Sequence, residues 1–233
     1  MQLERILHSQ GFGSRRQCQT LISQGEVQVA GVTCYDPAAE FSTDALCFSV
    51  AGTPWQFRDK VYLALYKPAG FECSRTPQHH SSVFELLPEP LRERGVQCVG
   101  RLDQDTTGLL LLSDDGQFVH AYTSPKRKVA KVYHATLKHP FDETLLASLL
   151  NGVLLHGETT SLKAVAARQL APHLLELSIM EGKYHQVKRM VAAAGNRVEQ
   201  LHRHAIGAYA LPPSLTPGGW IWLDEAACRQ LQQ

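Results

Sequence analysis

Residues 100–116 read GRLDQDTTGLLLLSDDG, with two carboxylates, Asp103 and Asp105, ahead of four consecutive leucines and an Asp115-Gly116 pair. An uninterrupted apolar run of this length, closed by turn residues, describes a strand buried in a sheet. The stretch therefore sets a buried strand with a pair of acids at its entrance. What surrounds that strand, and which acid does chemistry, are read from the rest of the chain.

Working outward, VYLALYKP (61–68), KVYHATL (131–137), HLLELSIM (173–180) and RVEQLHRHAIG (197–207) read as strands. QFVHAYTS (117–124) is a short helix. DETLLASLLNG (142–152) is a capped helix ended by Gly152, and YHQVKRMVAAAGN (184–196) a helix closed by Gly195. Strands dominate with helices between them, which predicts an α+β domain over residues 59–233, built on a mixed, largely antiparallel sheet with flanking helices.

Ahead of it, residues 1–58 form a smaller unit and its linker. LERILHSQ places Leu3, Ile6 and Leu7 at helical spacing, Gly11 and Gly13 break the pattern, and Ser14 caps a second helix, SRRQCQTLIS, that Gly25 ends. EVQVAGVTC follows as a hairpin turning at Ala30-Gly31. Residues 45–60, with Gly52 and Pro54, read as a connection. Arg15 and Arg16 stand at the positive end of the second helix, where phosphates are favoured. This helix-helix-hairpin unit resembles the S4 RNA-binding module, with Ala30 where that module usually has Asn.

Hydrophobic residues at 44% and charged residues at 19% indicate a folded chain rather than a disordered one. No apolar run approaches the roughly 20 residues that span a bilayer, and charge interrupts the N-terminal MQLERILHSQGFGSRRQ. A cytoplasmic protein without a membrane partner is expected. Its six cysteines form no CxxC pair, so reduced thiols rather than a zinc or redox site are expected. A net charge of +1 excludes a uniformly basic binder, but positive charge gathers at Arg15-Arg16, PKRKVAKVYH (125–134) and KYHQVKR (183–189). Each cluster alone is an ordinary solvated face; the three together suggest a shared anionic partner.

GRLD by itself is an ordinary turn with an Asp near an Arg. Combined with the KxY of KVYHATL, EGKYHQVKRM and the LHR beyond it, it resembles the motif series of pseudouridine synthases, in the order and form of the RsuA family, which joins an S4 module to the catalytic domain. The resemblance implies isomerisation of a selected uridine in RNA: the N-glycosidic bond is cut, the uracil turns, and it is rejoined through carbon. It implies no cofactor. Asp103 takes the place of the catalytic carboxylate, Tyr133 that of the aromatic ring against which a flipped uracil stacks, and Lys188 that of the basic residue which keeps the carboxylate ionised. Lys supplies that charge without the two-pronged geometry of Arg. RNA contacts are assigned to Arg15, Arg16, Arg101, Lys126, Arg127, Gln186 and Arg189. Arg101 either meets phosphate or fills the space left by the flipped base, and Gln186 and Arg189 touch RNA or form the site wall.

His202 and His204 are spaced like metal ligands, but two histidines on one strand without a third ligand read as polar residues. The family typically has LHRExIG where this chain has LHRHAIG, so any role of that Glu is missing. The wording DTTGLLLLSDDGQ and EGKYHQVKRM implies small-subunit (16S) ribosomal RNA as substrate, at the uridine 516 site of the type member, with free RNA or a pre-ribosomal particle as partner and a monomeric enzyme. A 23S site and an inactive RNA-binding assembly protein are the alternatives. A hydrolytic glycosidase using both acids is disfavoured: two residues apart on an extended chain they lie about 6.5–7 Å apart and point the same way, whereas such enzymes flank the sugar from opposite faces. Asp105, with Thr106 and Thr107, is expected to brace the loop by hydrogen bonds.

Overall fold

The computed structural model describes residues 1–124 and 128–232. The chain divides into two compact units, Met1–Val61 with Leu87–Gln97, and Tyr62–Leu86 with Cys98–Gln233.

In the first unit, α1 (Leu3–Ser9) buries Leu3, Ile6 and Leu7. Ser14 opens α2 (Arg15–Ser23) with reciprocal bonds to Gln17: Ser14 N–H donates to Gln17 Oε1 at 2.7 Å and Gln17 N–H to Ser14 Oγ at 3.4 Å. β1 (Val27–Val29) and β2 (Val32–Cys34) turn at Ala30-Gly31 with both φ positive, 49° and 79°. The hairpin thus forces an alanine into the left-handed region, at a cost of about 1–2 kcal/mol. Residues 45–60 are more than a connection. They form a second hairpin, β3 (Cys47–Val50) and β4 (Thr53–Gln56), through a matching Ala51-Gly52 turn, and complete a sheet of order β2-β1-β3-β4. Its inward residues Val27, Val29, Phe48 and Val50 share one core with α1 and α2.

After β5 (Tyr62–Lys67), β6 (Phe71–Glu72) and β7 (Ser81–Ser82), the chain returns to the first unit with α3 (Glu89–Glu93). The Arg94 guanidinium fastens this excursion, donating to Gln10 Oε1 at 3.1 Å, Arg58 O at 2.7 Å and Asp59 O at 2.9 Å. Gly11 allows it, since a Cβ there would lie 2.0 Å from Pro90 O.

The remaining elements are β8 (Gln97–Val99), β9 (Thr107–Ser113), α4 (Gly116–Thr123), β10 (Lys131–Leu137), α5 (Glu143–Asn151), β11 (Ala166–Ala171), β12 (Leu174–Ile179), α6 (Gln186–Ala193), β13 (Val198–Ile206), β14 (Tyr209–Ala210), β15 (Trp220–Trp222) and α7 (Glu225–Gln230). The large sheet has the order β11-β12-β10-β13-β9-β5-β15, with β14 on β13 and β8 on β9. Along that order β9 and β13 run parallel and the other pairs antiparallel. The sheet is mixed and mostly antiparallel, as the strand pattern predicts, and the leucines of β9 lie at its buried centre. Gly108 is required where β9 meets β13: φ is +106°, and a Cβ would lie 2.3 Å from Arg203 O. Among the described residues no helix is long and apolar enough to cross a membrane.

Candidate active site

Asp103 and Asp105 sit in the loop between β8 and β9. The loop turns, with Thr106 N–H donating to Asp103 O at 3.1 Å and Gly70 N–H to Gln104 O at 2.8 Å. A lysine that the sequence motifs did not single out holds it. Lys67, at the inner end of β5 and fully buried, donates from Nζ to Pro68 O at 3.0 Å, Gln104 O at 3.0 Å and Thr106 O at 2.9 Å. Burial pushes its pKa below the usual lysine range, and the three carbonyls are what make a buried ammonium tolerable. The expected bracing by Asp105, Thr106 and Thr107 takes another form: the Asp105 carboxylate turns to Lys188, and the buried Thr106 Oγ1 has no hydrogen-bond partner among the described residues. Thr107 Oγ1 instead meets His202 Nδ1 at 3.0 Å.

Helix α6 carries Lys188 to both acids. Its Nζ donates to Asp105 Oδ1 at 2.7 Å and Oδ2 at 2.9 Å, and to Asp103 Oδ2 at 3.3 Å. Burial opposes the Lys188 charge, but the bonds to Asp105 and the charge of Asp103 outweigh it and hold the ammonium above the usual lysine range. Burial likewise works against the Asp105 carboxylate, and Lys188 still keeps it below the usual carboxylate range. From the residue before α6, His185 Nε2 approaches Asp103 Oδ1 to 3.4 Å.

Asp103 borders a pocket of about 390 Å³, also lined by Arg101, Lys131, Tyr133, His185 and Arg203. Tyr133 is buried on β10, in register with Leu177 and Arg203. Its ring belongs at once to the buried face of β10 and to the pocket lining. Gln186 is buried in that wall as well; its amide accepts from Lys183 N–H at 3.0 Å and donates to Glu181 Oε2 at 3.1 Å. The half-buried Arg189 guanidinium is engaged by the protein's own backbone, donating to His156 O at 2.6 Å and Tyr184 O at 3.3 Å. Arg101 is exposed at the pocket, and Arg15 and Arg16 are exposed on α2 of the first unit. Lys126 and Arg127 lie outside the described residues.

Across the sheet from Tyr133, alternate residues of β10 and β13 gather His134, His202 and His204. His134 stacks on His204, with ring centroids 4.5 Å apart, and its Nε2 lies 3.1 Å from Glu176 Oε2. Burial, with His134 and His204 nearby, lowers the His202 pKa to about 4. Among the described residues no three His, Cys, Asp or Glu side chains converge to hold a metal.

With Asp103, Lys188 and Tyr133 placed on or beside a mixed sheet, the chain can be set beside known proteins. Residues 61–193 match the RNA pseudouridylate synthase family and residues 1–43 the S4 domain, so the chain belongs to the RNA pseudouridylate synthase family. Over 219 residues it is 38% identical to the ribosomal small subunit pseudouridine synthase A of Pasteurella multocida (strain Pm70), covering 94% of each chain. It is 35% identical over 237 residues to an RNA pseudouridine synthase of Bacillus subtilis (strain 168), covering 100% of this chain and 99% of the relative. A crystal structure described as a pseudouridylate synthase shares 34% identity, covers 99% of each chain and superposes with a TM-score of 0.70. The protein is an RNA pseudouridine synthase, and the fold and enzyme class expected from the motifs hold.

Proposed function

We propose that the protein converts a uridine of small-subunit (16S) ribosomal RNA, uridine 516, to pseudouridine, with Asp103 as the catalytic carboxylate. The observation that carries this reading is the division of labour between the two acids: Asp103 borders the pocket, while both oxygens of Asp105 are held by Lys188. A glycosidase of the two-carboxylate type needs its second acid across the sugar from the first, whereas both oxygens of Asp105 are bound to Lys188. Substrate choice rests on the Pasteurella multocida relative, named for the small ribosomal subunit.

The target uridine leaves its stack and enters the pocket, where the Tyr133 ring replaces the lost stacking. Asp103, with Lys188 Nζ 3.3 Å away, engages the sugar or the base as the bond between N1 and C1′ breaks. The pocket retains the freed uracil and excludes water while it turns. C5 then bonds to C1′, displacing the Asp103 carboxylate where it has bonded to the sugar; the C5 proton leaves, with the Tyr133 hydroxyl at hand, and N1, freed from the sugar, takes up a proton, so that no net proton is gained or lost. Arg101 stays by the pocket to meet phosphate or fill the vacated stack, and Arg15 and Arg16 hold RNA through phosphates. The enzyme works as a monomer on ribosomal RNA, free or within a pre-ribosomal particle.

Pseudouridine mapping of ribosomal RNA from cells lacking the protein, with and without complementation, tests the assignment. Loss of the signal at 516 and its return on complementation are expected. Loss of a 23S site instead would move the substrate, and an unchanged map would overturn the enzymatic reading.

A further inference from the structure

Tyr184 and His185 stand directly before α6 and belong to none of the roles assigned above. The Tyr184 side chain is 73% exposed, yet its ring lies flat on the His185 imidazole, with centroids 3.8 Å apart and planes 19° from parallel. His185 holds a left-handed backbone, φ 47° and ψ 33°, without a side-chain cap on the helix. For a non-glycine residue that conformation costs on the order of 1 kcal/mol and persists only when its surroundings enforce it. They do: Arg189 binds the Tyr184 carbonyl, and Gln186 binds the Lys183 N–H, so the backbone on both sides is tied while the ring remains outside. An isolated exposed aromatic is ordinary. One whose backbone is tied on both sides and that is backed by the ring of a left-handed His185, itself 3.4 Å from Asp103, is a prepared π-surface.

We propose that Tyr184, backed by His185, is the stacking platform for the nucleobase adjacent to the target uridine. The inference rests on the proposed function. Flipping a uridine into the pocket removes a stacking partner from its neighbour, and single-stranded RNA is commonly held by aromatic rings that replace such contacts. The position fits a neighbour rather than the target. His185 Nε2 is 3.4 Å from Asp103 Oδ1 and borders the pocket, while Tyr184 is the next residue outward. The flanking residues Glu181, Lys183 and His185 make a polar setting, which suits a wet RNA strand better than an apolar protein partner.

The test uses the full chain and a short 16S fragment spanning the target, in three forms: intact, abasic immediately 5′ of the target, and abasic immediately 3′ of it. On intact RNA, Tyr184→Ala should lose about 5- to 100-fold in kcat/KM, carried by KM, the scale of one base stacked on an aromatic ring. Tyr184→Phe should recover it. One abasic RNA should impose the same loss on wild type and no further loss on Tyr184→Ala. Equal kcat/KM for Tyr184→Ala and wild type on intact RNA would overturn the proposal, as would a loss that is undiminished on both abasic RNAs. A binding readout separates this from the function itself: 2-aminopurine beside the target should be quenched by wild type and Tyr184→Phe but not by Tyr184→Ala. Wild type that forms no pseudouridine would sink the proposed function, while equal quenching by all three proteins would sink the platform.

Discussion

Lys188 Nζ binds both oxygens of Asp105, at 2.7 and 2.9 Å, while it reaches Asp103 only at 3.3 Å. The lysine is therefore held by the acid that does not border the pocket and lent to the one that does. The Asp105 side chain is more than half exposed, so Asp105→Asn should cost less than about 1 kcal/mol of stability. Its rate of pseudouridine formation should fall by no more than about tenfold, because Lys188 still has Asp103 to pair with. Thermal melting and single-turnover rates check both statements.

Lys188→Met should lower the single-turnover rate on the order of 10²-fold, the scale of removing one electrostatic partner at a reacting centre. Lys188→Arg should restore most of it, since charge rather than shape is what the two acids require. Equal rates for wild type and Lys188→Met would remove the lysine from the mechanism.

Lys67→Met should lower stability by about 1–3 kcal/mol, because the carbonyls of Pro68, Gln104 and Thr106 lose their buried donor. The loss should appear in denaturant unfolding and be accompanied by a slower reaction, since two of those carbonyls belong to the loop that carries Asp103. An unchanged unfolding midpoint would show that the loop is held by other contacts.

His202 gives a pH signature with a definite sign. Its pKa falls from 6.5 to about 4 in the folded protein, chiefly by burial. Between those values the unfolded chain binds the extra proton, so this contribution is complete above about pH 6.5 and is lost as pH falls toward 4. His202→Gln should flatten that acid limb. Urea unfolding of wild type and variant at pH 7 and pH 5 measures it, and parallel losses in the two proteins would contradict the assignment.

Much of this molecule is readable in its residues. Four leucines in a row made β9 a buried strand, and the motif series placed Asp103, Tyr133 and Lys188 in one neighbourhood. What the sequence left hidden depends on long-range contacts. Lys67 reads as the polar end of a strand until the loop at 103–106 folds over it. Residues 87–97 join the first unit through Arg94 and Gly11, a contact with no local signal. The hairpin at 47–56 did carry a signal, since Ala51-Gly52 repeats the turn at Ala30-Gly31. Gln186 and Arg189 were legible only by type: a helix that starts at a left-handed His185 buries Gln186 in the pocket wall and sets the half-buried Arg189 against the carbonyls of His156 and Tyr184.

Pseudouridine yield in a single turnover on the 16S fragment, with Asp103→Asn set beside Asp105→Asn, decides which of the two acids reacts. Asp103→Asn should form product at least about 10³-fold more slowly than wild type, as expected when the reacting carboxylate is removed, while melting temperature and RNA affinity stay close to those of wild type. Asp105→Asn should continue to form product. Product from Asp103→Asn at a wild-type rate, or equal loss in two equally stable variants, would contradict the account.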